Sequence, residues 1–334
     1  MKKILSVLVA AALAAGMFTA CSSEAEAGEP NNDSKLNIVT TIFPEYDWVM
    51  NVLGDEADSA EVTMLLDSGV DLHSFQPTAD DIMKVATCDM FIYVGGESDE
   101  WVEDALAEAV NPDMVVINLL DVLGDTVVEE EIVEGMEGEE EEAEEADAAE
   151  EEEEGPEYDE HVWLSLRCAA VLTQRIADEL SSLDPEHADA YEQNAADYIA
   201  ELNALDAEYE AAVADAEFDT ILFGDRFPFR YMTDDYGLNY YAAFVGCSAE
   251  TEASFETISF LAGKVDELGL TAVLTIEGTD HSIAETIISN TASADQQILT
   301  LDSMQSVTAE DVSRGASYLD IMRANLSVLT QALH

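Results

Sequence analysis

The chain has 334 residues, 48% of them apolar, enough for two domains of ordinary size around a large core. Its 11 basic residues face 74 acidic ones, a net charge of −63, which disfavours nucleic acid and anionic membrane surface as partners and favours cations. The four cysteines contain no CxxC pair, which excludes a disulfide framework.

Lys2 and Lys3 form a positive n-region, and residues 4–18 are an apolar stretch too short for a good transmembrane span. Phe18-Thr19-Ala20-Cys21 has the small residues before a cysteine of a bacterial lipobox. These features predict a lipoprotein signal over 1–20, lipidation of Cys21, and a mature chain anchored outside the cytoplasm to the cell membrane. Residues 21–35, rich in Ser, Glu, Ala, Gly and Asn, read as a flexible tether.

From there the pattern alternates. Apolar runs at 36–42, 62–66, 90–94 and 114–119 read as strands, and helical periods fall at 46–53, 79–86 and 101–109. Such alternation indicates βαβ units and a parallel sheet. His73 lies in the loop after the second run, just before Pro77-Thr78-Ala79-Asp80, where Thr78 is positioned to cap a helix. It therefore sits where open α/β sheets bind ligands, at the carboxyl end of a strand.

Residues 129–160 interrupt the alternation with 20 acids and no base, and are expected to form a disordered insertion. Asp159-Glu160-His161-Val162-Trp163-Leu164 follows, with a helix from Trp163 to Leu183. Asp184-Pro185 restarts the chain as a helical period to Asp215, with an apolar stripe of Tyr191, Ala195, Tyr198, Leu202, Leu205 and Tyr209. A helix of that length spans roughly 45 Å and suits a connector between two lobes.

A second α/β half occupies 216–334, with strands at 220–223, 237–244, 272–276 and 297–301 and helices at 254–268, 282–289 and 318–333. Asp225 stands in the stretch after the first of these strands, and Glu277, Asp280 and His281 follow the third. Of five histidines, His334 is terminal and His187 lies early in a polar helix, whereas His73, His161 and His281 adjoin strand or loop ends. Imidazoles with carboxylates are the donor set of zinc, or of manganese or iron where oxygen dominates. No HExxH, GxSxG, Walker or GxGxxG pattern occurs in suitable context. Cys88 and Cys168 read as buried free thiols, and the state of Cys247 is open.

Several segments, in order, make the resemblance specific. Gly69-Val70-Asp71-Leu72-His73 through Asp80, Tyr93-Val94-Gly95-Gly96 through Trp101, Asp159 through Leu164, Asp184-Pro185 through Ala195, and Leu301-Asp302 with Tyr318 through Asn325 resemble the metal-specific substrate-binding lipoproteins of bacterial ABC importers, the zinc/manganese-uptake family. The resemblance implies two parallel-sheet lobes: 36–183 with the acidic insertion, and 216–334. It further implies a backbone helix over 184–215 joining them and a metal in the cleft between. His73 and His161 match the first two ligand motifs.

The sequence departs from the family in the second lobe. Aligning Phe229 and Tyr231 with the third motif puts Arg226 at the ligand position, and arginine cannot coordinate a cation. Asp225 is the adjacent donor, with an N-cap or an ion pair to Arg226 as the alternative. After Glu277 the register admits either Asp280 or His281. His281 is preferred for zinc, with Asp280 as ligand or as acceptor for an imidazole N–H.

The expected metal set is thus His73, His161, Asp225 and His281, with Asp280 and Glu277 as further candidates. The expected function is capture of Zn²⁺ as transported ligand by a monomeric, non-enzymatic binding protein, and its delivery to an ABC permease. The alternatives are a manganese or iron importer component using Asp225 and Asp280, a metal-dependent surface adhesin, and a zinc hydrolase with Glu277 as general base.

Overall fold

The computed structural model describes residues 35–137, 157–248 and 252–334. The leader with Cys21, the tether and the middle of the acidic insertion lie outside them.

The first half builds β1 (Leu36–Thr40), α1 (Phe43–Leu53), β2 (Ala60–Met64), α2 (Ala79–Thr87), β3 (Met90–Tyr93), α3 (Trp101–Ala107), β4 (Val115–Asn118), α4 (Leu119–Leu123) and α5 (Leu166–Leu183). All four strands are parallel, in the order β2-β1-β3-β4. The apolar runs on β1 and β3 are nearly continuous because helices cover both faces of the sheet, and Ile38, Val39, Met90, Phe91 and Ile92 are all buried. Helix α1 starts three residues before the sequence suggests. Pro44 does not break it, because in the first helical turn the missing N–H costs nothing. Thr78 caps α2 as expected, accepting from Asp81 N while its hydroxyl donates to Asp81 Oδ2 at 2.7 Å. The helix expected from Trp163 begins instead as a 3-10 turn, Val162–Leu164, and α5 proper starts after Ser165, whose hydroxyl accepts from Cys168 N.

Helix α6 (Ala188–Ala214) has 27 residues, roughly 40 Å at 1.5 Å per residue. Its buried residues are Tyr191, Ala195, Tyr198, Leu202, Leu205 and Tyr209, the apolar stripe read from the sequence. It packs on α1 and α5 of the first lobe and then on α7 (Arg230–Tyr236) and α11 (Tyr318–Ala332) of the second.

The second lobe repeats the first topology. Its strands β5 (Thr220–Phe227), β6 (Asn239–Val245), β7 (Ala272–Ile276) and β8 (Gln297–Leu301) are parallel in the order β6-β5-β7-β8, with α8 (Phe255–Leu268), α9 (Ser282–Ser289) and α10 (Ala309–Ser313) completing it. Strand β5 runs four residues past its expected end. Gly224 and Asp225 do not stop it; the pairing with β6 shifts register between Phe223 and Arg226 and then resumes.

The described ends of the acidic insertion are fixed on the protein. Glu129 bridges Tyr158, Glu130 N donates to Glu157 O at 3.0 Å, and Asp159 N to Val128 O at 3.0 Å. Glu137 pairs with Phe244 on the free edge of β6. The chain thus leaves the first lobe, covers a sheet edge of the second, and returns at His161.

Candidate metal centre

His73 is held in a 3-10 turn, Leu72–Ser74, on the loop after β2. Asp71 caps that turn, accepting from His73 N at 3.0 Å, and ion-pairs with Arg226 of the second lobe. His161 is fully buried at the end of the acidic segment. Asp159 Oδ1 accepts its backbone N–H at 2.9 Å and lies 3.1 Å from its Nδ1. The His73 Nδ1 lies 2.6 Å from Ser98 Oγ and 3.5 Å from Glu160 Oε2. With each Nδ1 engaged behind, the two Nε2 atoms point at one another, 3.1 Å apart.

That separation has a chemical meaning. Two Zn–N bonds at the tetrahedral angle put their nitrogens about 3.3 Å apart. Burial and the neighbouring His161 push the His73 pKa down to about 3, so this imidazole is neutral and its lone pair free at any ordinary pH. Two imidazoles each engaged at Nδ1, with their Nε2 atoms facing, are a ready pair of metal donors.

Two glycines permit this packing. A Cβ on Gly96, which has φ +83°, would lie 2.3 Å from Glu160 Oε1. A Cβ on Gly246 would lie 2.8 Å from His161 Cε1 and 3.0 Å from Phe227 O, so the end of β6 reaches His161 only as glycine.

The residue after Gly246 completes the cluster. Donor atoms of His73, His161 and Cys247 all lie within 4.8 Å of one another. Sequence reasoning did not select Cys247. Its signal was its place immediately after a strand in a parallel sheet, the criterion that drew attention to His73 but was applied only to histidines and acids. The site opens on a cavity of about 490 Å³ lined by Glu130, Glu157, Glu160 and Cys247, among others. Burial, with Asp159 nearby, raises the Glu130 pKa to about 6, and burial likewise raises that of Glu160.

The other expected ligands lie elsewhere. Asp225 is buried within β5, and its carboxylate accepts from Arg226 N at 2.9 Å, Thr279 Oγ1 at 2.9 Å and Ile276 N at 3.2 Å, tying β5 to the end of β7. His281 is the N-cap of α9, in left-handed conformation at φ 58°, and with Asp225 and Asp280 lines a separate cavity of about 310 Å³. Asp280 accepts from Ser282 N. Glu277 accepts from Ser303 N at 2.7 Å, Ser303 Oγ at 2.8 Å and Gln305 N at 3.2 Å, joining the loops after β7 and β8. The structure therefore does not bring Asp225 or His281 to the histidine pair. The carboxylates of Asp225 within β5 and of Glu277 and Asp280 after β7 are taken up in holding their own loops together.

Residues 38–332 match the family model described as zinc-uptake complex component A, periplasmic. The chain belongs to this ZnuA family. It is a family of uptake components rather than of enzymes. Zinc-binding lipoprotein AdcA of Streptococcus pneumoniae is 32% identical over 335 residues, covering 99% of this chain and 61% of the relative. The high-affinity zinc uptake system protein ZnuA of Bacillus subtilis is 28% identical over 318 residues, 95% of this chain and 94% of the relative. Among solved structures, the Zn(II)-bound ZnuA-like domain of Streptococcus pneumoniae AdcA superposes with a TM-score of 0.69 at 28% identity, covering 90% of this chain and 99% of that one. The chain spans about three fifths of the length of the AdcA relatives it matches. Two parallel-sheet lobes spanned by one long helix are the family's architecture.

Proposed function

We propose that this protein is the extracytoplasmic substrate-binding component of a zinc importer. It captures Zn²⁺ between its two lobes and hands it to an ABC permease, held at the membrane by lipid on Cys21. The observation that carries the reading is the convergence of His73 Nε2 and His161 Nε2 at 3.1 Å, each ring oriented from behind. The family membership and the zinc-binding relatives support the same reading. Closely held donors with oriented rings bind a borderline cation tightly.

The deciding experiment is a competition titration of the purified chain with Zn²⁺. His73→Ala and His161→Ala should each lower affinity by well over tenfold. Unchanged affinity in both variants would sink the assignment.

A further inference from the structure

We propose that the second lobe's zinc ligand is the Cys247 thiolate, so that the metal is held by a His₂Cys set. The inference rests on the zinc-binding reading above and names the donor that completes it. Arg226 stands where the family resemblance puts a ligand, and its guanidinium is committed to Asp71. Asp225 and His281, the nearest alternatives in sequence, belong to another cavity. Cys247 alone in the second lobe joins the two imidazoles among the described residues.

The topology supports the substitution. The lobes share one strand order, β2-β1-β3-β4 and β6-β5-β7-β8, so β6 is the counterpart of β2. His73 follows β2 and Cys247 follows β6, each at a strand's carboxyl end. The two donors follow corresponding strands of a repeated fold, His73 in the loop beyond Met64 and Cys247 just beyond Val245, and face one site. In a tetrahedral site with Zn–S of about 2.3 Å and Zn–N of about 2.05 Å, sulfur and nitrogen lie about 3.6 Å apart. From separations within 4.8 Å, a thiol rotation or a small approach of the lobes closes the gap.

A second observation points independently to a cation here. Glu160 is only 2% exposed, yet its Oε2 has no hydrogen-bond partner and lies 3.5 Å from the His73 ring on the wall of this cavity. Through the His73 ring, whose Nδ1 faces it, this buried carboxylate is stabilised by a divalent ion held at Nε2. Coordination exchanges the S–H bond of Cys247 for a Zn–S bond. The proton passes to a carboxylate of the shared cavity, such as Glu130, and then to water, with no change of oxidation state. A soft thiolate beside two imidazoles favours zinc and disfavours manganese, which prefers oxygen donors.

The test uses Co²⁺ as a spectroscopic stand-in on the full chain. The wild type should show a thiolate-to-cobalt charge-transfer band in the near ultraviolet. Cys88→Ala and Cys168→Ala should retain it, and Cys247→Ser should lose it. Zn²⁺ affinity in Cys247→Ser should fall by at least ~10-fold, the loss known for residues that merely orient ligands. Should Cys247→Ser fail to fold, iodoacetamide mapping of the wild type decides: Zn²⁺ should protect Cys247 from alkylation. Cobalt bound without the band, a band that survives Cys247→Ser, or alkylation of Cys247 unslowed by Zn²⁺ overturns the inference. Zinc affinity that depends on His73 and His161 but not on Cys247 refutes the thiolate alone, whereas independence from both histidines refutes the zinc-binding reading itself.

Discussion

Gly246→Ala probes the site through sterics alone. Gly246 does not have positive φ, so alanine imposes no backbone strain there. The added Cβ would meet His161 Cε1 at 2.8 Å and the Phe227 carbonyl at 3.0 Å. Carbon–carbon contact becomes favourable near 3.5 Å, so the imidazole must retreat by about 0.7 Å or β6 must pull away. The imidazole has little room: Asp159 holds it from behind and Trp163 packs on it with ring centroids 5.1 Å apart. Overpacking of this kind costs about 1–3 kcal/mol. The same shift moves one zinc donor out of register and lowers affinity by about 10–100-fold, the range for disturbed ligand orientation. Thermal melting without metal reads the first effect, and a competition titration with Zn²⁺ reads the second. An apo stability and a zinc affinity both equal to wild type would refute the claim that the tip of β6 is pressed against His161.

Gly263, on the exposed side of α8, has nothing within 4 Å of an added Cβ, so Gly263→Ala should stabilise by about 0.5–1 kcal/mol in the same melts and leave zinc affinity unchanged. Leu202 is fully buried midway along α6, and Leu202→Ala should cost about 2–5 kcal/mol by denaturant unfolding, since the cavity opens in the core that both lobes share. Asp47 has its pKa pushed up to about 6 from an ordinary 3.8 by burial, against hydrogen bonds from Tyr198 and Asn51 that pull it down. The folded state therefore prefers the protonated acid. Its contribution is fully present below about pH 4 and is lost as pH rises to about 6, at up to ~1.4 kcal/mol per pH unit. Asp47→Asn should accordingly raise apo stability at pH 7.5 and leave it nearly unchanged at pH 4, and an equal effect at both would contradict the buried-acid assignment.

Much of the fold was legible because its signals are local. Parallel strands covered on both faces read as continuous apolar runs, and the buried stripe of α6 repeats every three or four residues. Boundaries failed where a local breaker was overruled by tertiary pairing. Gly224 and Pro228 suggest a loop, yet β5 continues to Phe227 because pairing with β6 resumes after the shift in register. Helix α1 begins earlier than its apolar period suggests for a local reason, because Pro44 lies in the first turn, where proline fits. The site divides in the same way. His73 and His161 were conspicuous as rare residues in recognisable motifs, and the structure sets them 3.1 Å apart. Cys247 had no motif around it. Only the three-dimensional equivalence of β6 and β2 gives it a place, and strand order cannot be read from a linear pattern.

The overall charge and the local donors then act at different ranges. A net charge of −63 raises the concentration of every cation near the surface and is blunted beyond roughly 10 Å by salt. It cannot tell zinc from the far commoner calcium and magnesium, for which exposed carboxylates are the natural partners. Selection must come from a place where oxygen is not the first donor offered. The two imidazoles supply that place. His161 is fully buried, and His73 is held neutral by burial and by its neighbour. The carboxylates at the ring backs, Asp159 and Glu160, lie toward Nδ1, away from the facing Nε2 atoms. There they strengthen nitrogen donors without offering a hard cation an oxygen cage of its own. On the proposed zinc-binding reading, the acidity of the chain gathers cations in general, and the nitrogen-lined gap between His73 and His161 decides which one stays.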